Sequence, residues 1–338
     1  MNSADVGVYV IAEAGVNHNG DVGRAVALID AAAEAGADAV KFQTFKADKL
    51  VIPSAATAKY QTAATGDTTQ LEMLRRLELD EPSHRRLFDH ARDCDIDFLS
   101  TGFDRDSLTF LNDLGVSRLK VPSGEITNYP LLCDVAAIGK PTIVSTGMAT
   151  IDEIAACLEI LIDQGLHRED LSVLHCNTQY PTPMGDVNLT AMRAIADAFP
   201  GVSVGYSDHT LGIEIPVAAV AMGARVIEKH FTLDKTLPGP DHAASLEPGE
   251  LFAMVRAIRN VESAMGDGVK RPSPSEVGNR DVVRKSLVAA VPIRCGETFT
   301  AENVTAKRPG TGRSPMDWPR VIGTAATRDY VADEAIDA

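Results

Sequence analysis

A chain of 338 residues with 45% hydrophobic and 23% charged positions has ample material for a packed core and lies outside the low-hydropathy, high-charge regime of disordered chains. Its 32 Lys and Arg face 47 Asp and Glu, a formal charge of −15, which excludes a non-specific nucleic-acid binder because phosphate binding needs a dense basic surface. At roughly 150 residues per domain the length predicts about two domains, one of which can be a single large α/β barrel.

The N-terminal stretch MNSADVGVYVIAEAG has no basic leader region, and its apolar run is broken by Glu13, so it predicts a first strand and not a signal peptide. Short β-branched runs then alternate with longer Ala/Leu-rich ones. Strands are predicted at VYVIAEAG from Val8, ADAVKFQ from Ala37, IDFLSTG from Ile96, SRLKVPSG from Ser117, KPTIVSTG from Lys140, LSVLHC from Leu171, VSVGYSDH from Val202 and ARVIEKHF from Ala224. Between them VGRAVALIDAAAEAG, SHRRLFDHARDCD, IDEIAACLEILIDQG and NLTAMRAIADAF repeat apolar residues at helical spacing. Gly36, Gly115, Gly139, Gly165 and Gly223 stand where helices need left-handed ends. Eight such units in about 265 residues match an α/β fold of the (β/α)8 TIM-barrel type, usually ~250 residues, better than an open doubly wound sheet.

After the eighth helix, ELFAMVRAIRNVESAMG, the stretch GDGVKRPSPSEVGNRD is rich in Gly, Pro and Ser and lacks periodicity. The predicted organisation is a barrel over 1–265, a linker over 266–283 and a small module over 284–338, in which Ser314 is placed to N-cap a short helix beginning at Pro315. The five cysteines, Cys94, Cys133, Cys157, Cys176 and Cys295, form no CxxC pair and read as reduced thiols of a cytoplasmic protein. No apolar run approaches the ~20 residues that span a bilayer, so no membrane association is expected. GKPT at Gly139 lacks the upstream glycine of a P-loop, and neither GxGxxG nor GxSxG occurs, which removes nucleotide binding and the nucleophile-elbow hydrolases.

In a barrel, chemistry sits at the C-terminal ends of the strands. Polar residues there are Glu13, Asn17 and His18; Lys41 and Gln43; Thr101, Phe103 and Asp104; Lys120, Ser123 and Glu125; Ser145; Asn177, Gln179 and Tyr180; Ser207, Asp208 and His209; Glu228, Lys229 and His230. His209 and His230 end neighbouring strands, where two imidazoles suit a divalent cation, although each could instead bond a loop. Lys41 and Lys120, among the hydroxyls of Thr101, Ser123, Ser145 and Ser207, make an anion pocket for phosphate or carboxylate. A Schiff-base lysine, as in barrel aldolases, is the competing use of either amine.

The segments IAEAGVNHNGD, ADAVKFQTF, QLEMLRRLEL, FLSTGFD, LKVPSGEITN, VSTGMAT, LHCNTQYPTP, VGYSDHTLGIEIPVAAVAMGA, VIEKHFTLDK and GPDHAASLEP closely resemble the sialic acid synthase family. The tail RKSLVAAVPIRCGETFTAENVTAKRPGTGRSP is similar to that family's β-clip antifreeze-like (SAF) domain. The resemblance implies a transferase that condenses phosphoenolpyruvate with an N-acetylated amino sugar. In that reaction C3 of phosphoenolpyruvate attacks the open-chain aldehyde, water adds at C2, and phosphate leaves by C–O cleavage.

By that resemblance His209 and His230 hold Mn2+ or Mg2+, which polarises the aldehyde. Phosphoenolpyruvate lies against Lys41, Thr101, Lys120, Ser123, Ser145 and Ser207, with Asn177 a further phosphate contact. Glu13, Gln43, Phe103, Tyr180 and Asp241 meet the sugar, and Glu125 activates the water. The catalytic set is thus Glu125, Glu13 and Lys120. Arg308 corresponds to an arginine that crosses into the barrel of a second subunit, which implies a domain-swapped homodimer. Asn177 departs from the family pattern: it stands one place toward the N-terminus of its usual position before the YPTP turn. The expected acceptor is N-acetylmannosamine, giving N-acetylneuraminate. The order NTQYPTP followed by DVNL is also similar to relatives that use 2,4-diacetamido-2,4,6-trideoxymannose and make legionaminic acid, the second expectation.

Overall fold

Eight parallel strands close into a barrel in the computed structural model, which describes residues 7–57, 62 and 69–337. The strands are β1 (Tyr9–Gly15), β2 (Ala39–Thr44), β3 (Asp97–Gly102), β4 (Leu119–Val121), β5 (Thr142–Ser145), β6 (Leu171–Cys176), β7 (Ser203–Asp208) and β8 (Val226–His230). Each pairs with the next in sequence, and β8 returns to β1 in the register Glu13 opposite His230. Each lies within its predicted run except β2, which continues one residue past it to Thr44. The first six residues, part of the stretch read against a leader, lie outside the described residues.

The helices follow the strands: α1 (Val22–Glu34), α2 (Glu81–Asp93), α3 (Arg105–Leu114), α4 (Tyr129–Ile138), α5 (Ile151–Asp163), α6 (Ala191–Ala198), α7 (Glu214–Ala221) and α8 (Pro248–Met265). Asp21 caps α1 by accepting from the Arg24 amide at 3.0 Å, and Thr150 and Glu153 close a capping box at the start of α5. Gly115 and Gly139 end α3 and α4 at φ 95° and 74°, a left-handed turn that a side chain would strain. Gly36, Gly165 and Gly223 also have positive φ.

The period of two along each strand divides the core. Ile11, Ala39, Leu99, Ile143, Leu174 and Val226 form an apolar plug inside the barrel. Intervening residues such as Val10, Ala12, Val40, Phe98, Val144 and Val173 belong to the larger core that includes the helices. At Gly205 an added Cβ would lie 2.3 Å from the Val226 carbonyl oxygen, so only glycine lets β7 approach β8 there. Two residues beyond the plug, the same inward face carries Glu13, Lys41, Thr101, Ser145, Cys176 and Glu228. The plug therefore floors a polar cavity.

Between β2 and α2 runs a long connection containing the helix Gln70–Leu77, capped by Thr69 accepting from the Glu72 amide. Leu71, Met73 and Leu77 bury one of its faces.

The chain divides into two compact units, Met1–Gly266 and Asp267–Ala338. In the second, β9 (Ser286–Ala289) pairs antiparallel with β10 (Val304–Lys307) over a core of Leu287, Ile293, Phe299, Val304, Val321, Tyr330 and Ile336. Ser314 accepts from the Met316 amide and caps the short turn Pro315–Asp317. The segment expected as linker holds two exposed short helices, Pro274–Val277 and Asn279–Val283, the first closed by a Ser273/Glu276 capping box. A helix of four residues is too brief to show a period. Among the described residues no helix is long and apolar enough to cross a membrane.

Candidate active site

A cavity of about 530 Å3 opens at the C-terminal ends of the strands. Of the residues singled out in the sequence, Glu13, Lys41, Gln43, Thr101, Phe103, Lys120, Ser123, Ser145, Tyr180, Ser207, His209, His230 and Asp241 all line it. Strand register explains the convergence: Glu13 lies opposite Lys41, Thr101 opposite Lys120 and Ser207 opposite Glu228.

The floor holds four buried ionisable groups, Glu13, Lys41, Lys120 and Glu228. The Lys41 amine lies 2.7 Å from Glu13 and 3.7 Å from Glu228, and the Lys120 amine lies 3.7 Å from Glu228. Lys41 also donates to Thr101 at 3.1 Å, and Lys120 to Ser145 at 2.6 Å. Burial raises Glu13 to about 7, against the pull of Lys41. Glu228 is equally buried, but Lys120 and Lys41 outweigh burial and hold it below the usual carboxylate range. Burial depresses Lys120; at Lys41 the two carboxylates overcome burial and raise it. The result is a pocket with two amines, one carboxylate held below the usual range and one carboxyl raised to about 7.

Above this floor the His209 and His230 rings lie 5.3 Å apart, with the Tyr180 ring 4.0 Å from His209 and 5.5 Å from His230. Burial lowers His209 to about 4 and His230 well below its ordinary value, so both are neutral at pH 7. His209 Nδ1 donates to the Asn177 carbonyl oxygen, which leaves the Nε2 lone pair free. His230 Nδ1 is buried without a hydrogen-bond partner, 3.8 Å from an Asp241 carboxylate oxygen. Burial raises Asp241 to about 6. Two neutral imidazoles, one with an orphaned nitrogen beside a carboxylate, fit a divalent ion.

Two expected site residues are absent from the cavity lining. Glu125 ends the single 3-10 turn Ser123–Glu125, accepts from Asn128 Nδ2 at 2.5 Å, and is not among the cavity-lining side chains. The Asn177 side chain is committed to its own loop, accepting from the Gln179 amide at 2.8 Å and from Thr182 at 3.4 Å, and is not among the residues lining the cavity. Arg308 belongs to the second unit, where its Nε donates to the Val283 carbonyl at 2.9 Å.

Other rim candidates are structural. Asn17 donates to the Phe231 carbonyl and to Ser245, Asp104 caps α3, and Lys229 bonds Asp208 and the Thr210 carbonyl with both charges fully buried. Conversely, the sequence assigned no role to Glu228 or Cys176, although both stand two residues beyond a plug residue. The apolar strip of Met73, Leu74 and Leu77 along the cavity was not anticipated as part of the site.

Residues 28–270 match the NeuB family and residues 284–338 the SAF domain. The chain is 52% identical over 328 residues to N,N'-diacetyllegionaminic acid synthase of Campylobacter jejuni, covering 97% of this chain and 98% of the relative. To the synthase of the same name from Legionella pneumophila it is 49% identical over 327 residues, covering 96% and 92%. The crystal structure of N-acetylneuraminic acid synthetase from Leptospira borgpetersenii in complex with citrate superposes with a TM-score of 0.71 at 34% identity, covering 81% of this chain and 90% of that one. On this evidence the chain belongs to the NeuB family, the sialic acid synthase family that its motifs resemble, and is an enzyme of nonulosonic acid synthesis with a C-terminal SAF domain.

Proposed function

We propose that this synthase condenses phosphoenolpyruvate with 2,4-diacetamido-2,4,6-trideoxymannose, giving N,N'-diacetyllegionaminic acid and phosphate. The observation that carries the choice of acceptor is the 52% and 49% identity, at nearly full length, to two synthases of that name, against 34% to the N-acetylneuraminic acid synthetase. This reverses the order of acceptors expected from the sequence. The cavity supports the same choice. Val16, Met73, Leu74, Leu77 and Phe103 give it an apolar side, suited to a sugar that carries a methyl group in place of a hydroxymethyl.

In this reading Lys41 and Lys120, with Thr101, Ser123, Ser145 and Ser207, hold phosphoenolpyruvate by charge-assisted hydrogen bonds. His209 and His230 hold the Mn2+ or Mg2+, whose contribution is to polarise the aldehyde. Gln43, Phe103, Tyr180 and Asp241 orient the sugar. Glu13, poised near 7 and facing the cavity, is better placed than Glu125 to move the proton of the water that adds at C2. Lys41, held protonated between two carboxylates, is a poor Schiff-base nucleophile, which leaves Lys120 as the amine available to a pyruvate aldolase. Borohydride trapping with pyruvate is expected to leave the protein unmodified; an adduct on Lys120 contradicts the proposal.

The proposal includes a domain-swapped homodimer in which Arg308 reaches the partner's sugar site. It also includes a cytoplasmic setting, supported by five cysteines that are all free thiols. The test of the acceptor is phosphate release with manganese and phosphoenolpyruvate. Faster turnover with the diacetamido sugar than with N-acetylmannosamine is expected; the reverse preference returns the enzyme to N-acetylneuraminate synthesis.

A further inference from the structure

Outside the barrel cavity, Asp30 on α1 and His90 and Cys94 at the end of α2 bring three different ligand atoms together. His90 and Cys94 are four residues apart and so share one helix face, while Asp30 meets them from the adjoining helix. His90 Nε2 lies 2.7 Å from Asp30 Oδ1, and Cys94 Sγ lies 3.6 Å from each of them.

These spacings can be compared with a tetrahedral zinc site. Zn–S of ~2.3 Å, Zn–N of ~2.0 Å and Zn–O of ~2.1 Å put sulphur about 3.6 Å from either partner and nitrogen about 3.4 Å from oxygen. Two edges of the triangle already have those lengths. The third, now closed by a hydrogen bond at 2.7 Å, has to open by about 0.7 Å. An ordinary surface His–Asp pair needs no sulphur equidistant from both.

We propose that Asp30, His90 and Cys94 form a zinc site on the outer face of the barrel, with water in the fourth position, that clamps α1 to α2. The donor set selects the metal: thiolate and imidazole favour zinc over the magnesium or manganese suited to oxygen ligands. Cysteine ligates as the thiolate, so uptake of the ion releases one proton to solvent. The surroundings do not oppose a dication. Asp89, Asp93 and Arg86 line the adjoining hollow, and Arg92 is occupied by Asp89 and Asp93.

The test uses the full chain stripped of metal and titrated with Co2+, because thiolate coordination gives a near-ultraviolet charge-transfer band that His209 and His230 cannot produce. The band is expected at one equivalent per chain. It is expected to vanish in Cys94→Ser and weaken in His90→Ala, and to persist in Cys176→Ser and in the double variant His209→Ala, His230→Ala. Absence of the band, its survival in Cys94→Ser, or its loss in Cys176→Ser overturns the proposal. Zinc is also expected to slow alkylation of Cys94 by at least about tenfold in the wild type, and equal rates with and without zinc contradict the site. Phosphate release by Cys94→Ser, expected at the wild-type rate, shows that the variant is folded.

Discussion

Glu13 and Glu125 show how much a carboxylate's role depends on where its side chain is sent. Glu13 lies within β1 and Glu125 follows β4, and both were expected in the catalytic set, yet only Glu13 lines the cavity, beside Lys41 and in an environment that raises it to about 7. If Glu13 must be ionised to accept the water's proton, kcat falls as pH drops through about 7, because protonation removes the base. Glu13→Gln is expected to lower kcat by roughly 10²–10⁴ and to abolish that acid limb, whereas Glu125→Gln leaves both largely intact. Steady-state pH profiles of the two variants decide between them; a large loss in Glu125→Gln alone restores the assignment made from its place in the motif. For the imidazole pair, His209→Ala or His230→Ala is expected to remove activity together with any response to added Mn2+. Metal-stimulated turnover in either variant would place the ion elsewhere.

At the scale of the element, the strands were legible because a run of β-branched residues ended by a polar or glycine residue is local information. The inward face was legible as well: counting by two from Val226 reaches Glu228 and His230, and the same count sends Lys229 to the opposite face. That is why Lys229, a rim candidate by position, is instead a fully buried partner of Asp208. Lys229→Met is expected to cost about 3–5 kcal/mol, because it strands the Asp208 carboxylate without a counter-charge. Thermal unfolding at fixed pH measures this, and an unchanged midpoint contradicts it. What could not be read was non-local. The state of Glu228 depends on two lysines from distant strands, and the direction of Glu125 depends on a single turn. The helix Gln70–Leu77 gains its function only where it lies along the cavity. Leu74→Asn there is expected to raise KM for the 6-deoxy acceptor about tenfold or more while leaving KM for phosphoenolpyruvate unchanged. Equal effects on both substrates would make the strip merely structural.

For the whole molecule, the barrel gathers groups from all eight strands or the loops after them onto one cavity, which suits a reaction that must hold a trianion, orient a sugar and admit a water. The second unit carries Arg308, whose proposed partner is the sugar in another subunit. Arg308→Ala is expected to raise KM for the acceptor without changing that for phosphoenolpyruvate, and sedimentation of the wild type is expected to show a dimer. A fully active monomer contradicts the swapped arrangement. In the proposed condensation phosphate leaves by breaking the C–O bond of phosphoenolpyruvate. Its most direct test is a single turnover with phosphoenolpyruvate labelled with 18O at the bridging oxygen, with mass analysis of both products. The label is predicted in the released phosphate and absent from the sugar acid; label retained at C2 of the sugar acid would mean P–O cleavage and would contradict the account.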